Sequence, residues 1–242
     1  MSNRKQQFEL REMRILQTAE QLLLESGEGD LTLDSLALTL DLAKGTLYKH
    51  FSSKDELLMR ILIDYEKRKL DMIVVEDGAG AGVARLVLQL LNLPHRAILF
   101  NHIEERLSST ASGLNKMFAE LYSIRRERMV RMSKIVQLYL SEQDSVMNIR
   151  DYMATLYAVG QGGASLLNSS FYQRYLGSRD TLKTALVRQM LDLPRLYPRV
   201  DGISSDSEVR DRLMSASYDM SEEEIREIAE AIGQVIRPAM AG

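Results

Sequence analysis

An all-α protein of two unequal units is predicted by two observations: almost every periodic segment repeats its apolar residues at the helical interval, and alternating β-branched runs bounded by turn residues are scarce. A length of 242 residues with 45 % hydrophobic side chains can bury a substantial core, and it lies between one large domain and two smaller ones. The chain has no cysteine, which excludes a disulfide framework, thiolate zinc sites and cysteine nucleophiles. Its amino terminus interleaves Arg4, Lys5, Glu9, Arg11 and Glu12 with apolar residues, unlike a signal peptide, and no apolar run approaches the length of a bilayer span. The expectation is a cytoplasmic protein with no membrane partner.

The first helix is expected over 9–26, where Ile15, Leu16, Ala19, Leu22 and Leu23 make one apolar stripe and Ser26-Gly27 marks the end. Thr32 then caps a short helix carrying Leu33, Leu36, Ala37 and Leu40. After a further short helix, Ser53 and Glu56 form a capping box that opens a longer one, with Leu57, Leu58, Ile61, Leu62 and Tyr65 on its buried face. Three glycines within 78–82 favour a flexible connection, so the domain junction is placed at Glu76–Gly82. Beyond it Pro94 breaks or begins a helix, and the stretches 113–141, 146–170 and 180–193 have helical periodicity. Pro194 and Pro198 interrupt the pattern, and 199–220, rich in Ser and Asp, reads as a linker. Ser221 and Glu224 signal a last helix with Ile225, Ile228, Ala229, Ile232, Val235 and Ile236 on one face. The expected division is therefore 1–75, 76–198 and a carboxy-terminal extension at 199–242.

The net charge of −3, taken alone, argues against nucleic acid as a partner. Residues 1–70 hold eleven Lys/Arg against twelve Asp/Glu, so a DNA-binding surface has to come from local clustering. Such a cluster exists. Two short amphipathic helices, Leu33 to Leu40 and Lys44 to His50, joined through Asp41-Leu42-Ala43, have the lengths and turn spacing of a helix-turn-helix. In the second of them Leu47 and Phe51 anchor inward, while Lys44, Thr46, Tyr48, Lys49 and His50 are expected to present hydrogen-bond donors outward. A helix of about two turns fits the major groove, where its first residues reach base edges and its cations meet phosphates. Packing against the three-helix core is the other use open to Tyr48 and His50.

The run Lys44-Gly45-Thr46-Leu47-Tyr48-Lys49-His50-Phe51-Ser52-Ser53-Lys54-Asp55-Glu56-Leu57-Leu58 resembles the recognition helix and the start of the fourth helix of the TetR (tetracycline-repressor) family. The resemblance covers roughly residues 8–62, about a quarter of the chain. It implies an all-α homodimer with an amino-terminal three-helix DNA-binding domain and a larger carboxy-terminal domain that encloses an inducer site. Carried over by position, it implies that Lys44 and Thr46 contact bases or phosphates and that Gly45 lets the helix backbone approach closely. Tyr48 and Lys49 would clamp phosphates, and Lys54 and Thr32 would hold others at the starts of their helices. Two positions depart from the family pattern. Asp41 stands where the turn usually has Gly, and Ala43 stands where a Ser usually caps the recognition helix.

In the larger unit, Ile149, Tyr152, Met153, Leu156, Gly160, Gly163, Ala164 and Leu167 follow the helical period, and the glycines suit close helix approach. An intersubunit bundle is the expected use, with Leu182, Ala185, Leu186, Met190 and Leu193 on the second helix; packing within the monomer is the alternative. Two-fold symmetry predicts a palindromic operator with half-sites one helical turn, or a multiple of it, apart. An inducer pocket cannot be told from ordinary core in a sequence, and Phe100, Met117, Leu121, Tyr122, Met153 and Tyr157 are candidates by composition only. Arg125, Arg128, Arg131 and Lys134 recur every three residues, as the entrance to an anionic-ligand site or as a solvated face. His95, His102 and Glu105 share a helix face, yet nothing completes a metal ligand set, and no metal or other cofactor is expected. The carboxy-terminal isoleucine face is expected to dock on the same chain or its dimer mate.

There is no nucleophile elbow, phosphate loop or metal motif, so no catalytic residue is assigned and an enzyme is not expected. The function expected is a sequence-specific transcriptional regulator: a repressor that binds a double-stranded DNA operator as a homodimer and is released by a small-molecule inducer. The alternative is an interaction protein of the same fold that organises chromosome or division machinery without an inducer.

Overall fold

The computed structural model describes residues 3–73 and 78–197, together with Glu223 and Arg226. Among the described residues are ten α-helices and a short 3-10 turn. The linker at 199–220 and the isoleucine face of the last predicted helix lie outside them.

α1 (Asn3–Ser26) buries Ile15, Ala19 and Leu23 and stops at Gly27, whose φ of +82° and amide bond to the Leu23 carbonyl make a glycine cap. It begins six residues before the apolar stripe suggests. Its extra turns carry Phe8, which stacks on His50 with ring centroids 3.9 Å apart. α2 (Leu33–Thr39) opens at Thr32, whose Oγ1 accepts from the Ser35 amide at 3.0 Å. α3 (Lys44–Tyr48) follows a turn in which Asp41 takes φ +53°, the left-handed conformation that an aspartate tolerates in place of glycine. Ala43 gives α3 no side-chain cap, as the sequence implies. α4 (Lys54–Asp71) is capped by Ser53, while Glu56 reaches back to the amide of Ser52 rather than Ser53, so the expected box closes one residue early.

The glycine-rich segment is the first departure. Gly78 has φ +90°, but Ala79 already begins α5 (Ala79–Leu91), and Gly80 and Gly82 are helical. A Cβ at Gly82 would lie 2.8 Å from Ile135, and one at Gly80 would lie 3.4 Å from Tyr139. These glycines allow α5 to press against α7, and close packing outweighs their poor helix propensity. Then come α6 (Pro94–Thr110), which Pro94 begins, α7 (Asn115–Glu142), α8 (Ile149–Asn168), α9 (Ser170–Leu176) and α10 (Arg179–Asp192). α9 has no sequence signal because it buries no residue and so shows no stripe; Ser169 caps it and Gly177 at φ +86° ends it. Pro194 is buried in the turn Leu193–Leu196.

Two apolar cores result. The first gathers Ile15, Leu23, Leu36, Leu47, Phe51 and Leu58 from α1–α4 and adds Phe100, Ile103 and Leu107 of α6 and Leu121 of α7. The second joins α5, the rear of α7, α8 and α10 through Val83, Leu91, Ile135, Tyr152, Leu167 and Met190. α7 therefore serves both cores, and its 28 residues span about 42 Å at 1.5 Å per residue.

The predicted intersubunit stripe of α8 turns inward. Tyr152, Leu156, Gly160, Gly163, Ala164 and Leu167 are buried in the second core of the same chain. A Cβ at Gly160 would overlap Leu90, and one at Gly163 would sit 2.6 Å from Leu186 and 2.7 Å from Leu91. The glycines admit α5 and α10 of their own chain, so the close approach is intramolecular. Leu186 and Met190 of the second predicted stripe pack here too, whereas Ala185 is exposed. The hydroxyls of Tyr139 and Tyr152 donate to the Leu191 and Met190 carbonyls at 2.6 and 2.7 Å, satisfying the carboxy-terminal end of α10. Burial pushes the Tyr152 phenol well above its ordinary pKa.

Candidate nucleic-acid interface

The outer face of α3 rests on two anchors. Leu47 and Phe51 are fully buried between α1, α2 and α4, which turns Lys44, Gly45, Tyr48 and Lys49 to solvent and leaves Thr46 half-buried. Tyr48 is 51 % exposed, although a phenol ring buries favourably when a core has room for it. Gly45 is helical, and a Cβ there would meet nothing within 4 Å. No contact among the described residues needs its smallness, and a helical glycine lowers stability by roughly 0.5–1 kcal/mol relative to alanine. Lys49 forms no ion pair among the described residues.

Lys44 is held across the motif: its Nζ lies 2.6 Å from Oδ2 of Asp34, in the first turn of α2, with both side chains more than half exposed. The Asp34 hydrogen bond and charge raise the lysine pKa further above its ordinary value. Asp34 was not singled out from sequence. The available signal is positional, since in a helix-turn-helix the first turns of the two helices lie near each other, ten residues apart in this chain.

One expected contact is placed otherwise, and two others make bonds within the motif. His50 is not on the outer face: its side chain is 1 % exposed, stacked on Phe8, with Nδ1 3.6 Å from the Glu12 carboxylate. As the last residue of the segment it rotates onto α1, and the packing use prevails. Lys54 directs its ammonium to the Glu28 carbonyl at 2.5 Å, tying the start of α4 to the turn after α1. Thr32 is exposed but spends its hydroxyl on Ser35. The same corner is braced by Arg106 of α6, which pairs with Glu28 at 2.6 Å and Asp55 at 3.0 Å.

The six residues proposed for an inducer do not share a cavity. Phe100, Met117 and Leu121 belong to the first core and Met153 to the second, while Tyr122 and Tyr157 are about half exposed. Aromatic and Met content marks core as readily as pocket, which is why composition misplaces them. An open cleft of about 710 Å³ lies instead between α5, α7 and α10, lined by Leu88, Tyr139, Val187 and Leu191 with Lys183 and Arg188 at its polar margin.

The arginine stripe is neither an entrance nor wholly a solvated face. Arg125 grips Glu104 of α6 through two hydrogen bonds of 2.6 and 2.5 Å, and Arg128 Nε lies 2.6 Å from Glu66 of α4, whose side chain is 1 % exposed. Lys69 completes the cluster at 2.8 Å from Glu66. Burial alone would raise the Glu66 carboxyl, but Lys69, Arg128 and Arg125 overcome it and hold it below the ordinary carboxylate range. Burial, aided by the same two arginines, lowers Lys69 to about 8 against the attraction of Glu66. α4 is thereby stapled to α6 and α7. Among the described residues His95, His102 and Glu105 join no group of three possible metal ligands, and no helix is long and apolar enough to cross a membrane.

Residues 15–61 match the family model of bacterial regulatory proteins of the tetR family. No curated protein matches the chain. Among solved structures it is similar to a tetR-family bacterial regulatory protein from Rhodococcus RHA1, at 19 % identity over 78 % of this chain and 98 % of that one, with a TM-score of 0.56. A TetR-family transcriptional regulator from Marinobacter aquaeolei VT8 is similar at 18 % identity over 84 % and 95 %, also with a TM-score of 0.56. One from Streptomyces coelicolor is similar at 16 % identity over 96 % and 89 %, with a TM-score of 0.51. At such identities the likeness is one of fold.

Proposed function

We propose that this chain is a transcriptional regulator of the tetR family, whose model its residues 15–61 match, and that it is a cytoplasmic repressor that binds a palindromic operator as a homodimer and is released by a small molecule. The observation that carries the DNA-binding part is the outer face of α3. A glycine whose added Cβ would meet nothing within 4 Å, an exposed tyrosine and a lysine with no ion pair among the described residues stand on a helix anchored by Leu47 and Phe51, within the segment that matches the family. Lys44, Gly45, Thr46, Tyr48 and Lys49 are assigned to the groove and its phosphates; Thr32 and Lys54 are left to shape the motif.

For the dimer, the glycine stripe of α8 is excluded because its own chain covers it. The reading moves to the opposite face of α8, where Ala154, Tyr157, Ala158, Gly162 and Ser165 are exposed, beside the exposed Thr184, Ala185 and Arg188 of α10. Small and half-apolar side chains in that order suit an isologous contact. For the ligand, the cleft between α5, α7 and α10 has the volume of a small-molecule site, and α7 lines it at Tyr139 and is stapled to α4 at Arg128. A ligand preferred by one arrangement of α7 therefore shifts the position of α4, and with it the spacing of the two α3 helices. The working division remains 1–75 for DNA, 76–198 for dimer and ligand, and 199–242 as an extension.

A genome-wide binding map supplies the operator for the test. Lys44→Ala with Tyr48→Ala is expected to weaken operator binding at least tenfold and to flatten the dependence of log affinity on log salt by about one, the loss of one cation from the interface. Equal affinity and an equal salt slope would remove α3 from the interface.

A further inference from the structure

The ion pair between Asp34 and Lys44 is out of place on a surface meant for phosphates. A carboxylate there repels the DNA backbone, and a surface pair with side chains 51 % and 62 % exposed adds little to stability. Nor does α2 need the acid as a cap, because Thr32 and Ser35 already form a reciprocal capping box. Asp34 Oδ2 is taken by Lys44 at the start of α3, while Oδ1 has no hydrogen-bond partner among the described residues and the side chain is 51 % exposed. The first residues of a recognition helix are those that reach base edges, so the carboxylate lies at the reading end of the motif.

Resting on the DNA-binding reading, we propose that Asp34 is a specificity-determining residue that selects cytosine at one position of each operator half-site. The chemistry of the major groove narrows the choice. Guanine presents only acceptors there and thymine an acceptor and a methyl group, so both repel a carboxylate. Adenine offers an amine but sets its N7 acceptor beside it, whereas cytosine offers its N4 amine with no acceptor of its own. The guanine paired with that cytosine presents O6 and N7, which suit the two ammonium hydrogens of Lys44 that Asp34 leaves unused. Acceptor and donor side by side on the protein thus complement donor and acceptors side by side on a C·G pair. Holding Lys44 at 2.6 Å also fixes the carboxylate, so the reader is formed before DNA arrives.

The test is selection from a randomised duplex library by the full-length chain and by its Asp34→Ala and Asp34→Asn variants, both at an exposed position and expected to fold. The wild type is expected to select cytosine at one position per half-site and to disfavour other bases there by roughly five- to hundredfold. Asp34→Ala should lose that preference while keeping the rest of the operator, and Asp34→Asn should shift it towards adenine, whose N6 and N7 an amide reads together. If both variants bind every sequence more tightly by one common factor with base preferences unchanged, Asp34 only tempers charge and the assignment is wrong. A wild-type chain that binds no duplex even at low salt overturns the DNA-binding reading itself, and the assignment with it.

Discussion

The α2–α3 face and the seam between the helices of the larger unit are made of the same parts used in opposite ways. On α3, Gly45 has nothing near it and Lys44 meets Asp34 in the open. In the larger unit, Gly82, Gly160 and Gly163 are pressed against Ile135, Leu90, Leu91 and Leu186, and where α7 meets α4, Glu66 holds its cations in the interior. A helical glycine with neighbours at contact distance is explained by its own fold. One without neighbours lowers stability to no internal end, which points to a surface that approaches from outside.

The largest effect that could break this contrast is expected from Gly160→Leu with Gly163→Leu. A leucine at either site has no room even for its first carbon, and overpacking of this kind costs about 3 kcal/mol or more at each. Thermal unfolding should show loss of the larger unit rather than a folded monomer. A folded monomer would return these glycines to a subunit interface.

Glu66→Gln comes next. It leaves Lys69 and Arg128 buried without their counter-charge, and breaking a buried pair costs about 3–5 kcal/mol, against about 0–1 kcal/mol for an exposed pair. The pH dependence follows from the same cluster. Because folding lowers the Glu66 pKa, its contribution is present above the ordinary carboxylate range and is lost as pH falls through the folded value. Folding also lowers the Lys69 pKa, from 10.5 to about 8, so between those values the unfolded chain binds more protons and stability from this group rises with pH. Denaturant midpoints should climb from pH 8 to 9.5 in the wild type, and the climb should vanish in Lys69→Met.

The smallest effect sharpens the contrast most. Gly45→Ala should raise stability by up to about 1 kcal/mol, since the backbone is already helical and the added carbon meets nothing. It should at the same time weaken operator binding. A stability gain with operator affinity intact would mean that nothing approaches Gly45 closely.

Much of the amino-terminal unit was legible beforehand. Thr32, Ser53, Gly27 and Asp41 act on backbone groups no more than four residues away, so their roles can be read from spacing alone. Leu47 and Phe51 were correctly inward, and Tyr48 and Lys49 outward, because one short helix on a three-helix core has few ways to turn. His50 was less legible: at the end of that helix its direction depends on Phe8 and Glu12, about forty residues away. The partner of Lys44 was missed for the same reason, since Asp34 lies on another helix.

In the larger unit, periodicity identified the apolar face of α8 but not what covers it. An apolar stripe has the same appearance in sequence whether α5 and α10 or a second subunit lies against it. Likewise Gly80 and Gly82 carry a flexible propensity that only contact with α7 reverses, and α9 has no inward face to leave a pattern. What local sequence could dictate was the all-α class, the helix-turn-helix and the side of α3 that faces out, because these depend on interactions over a few residues. Which faces meet, which glycines are crowded and which charges are buried was left to helices brought together from distant parts of the chain, because a contact is a property of both partners.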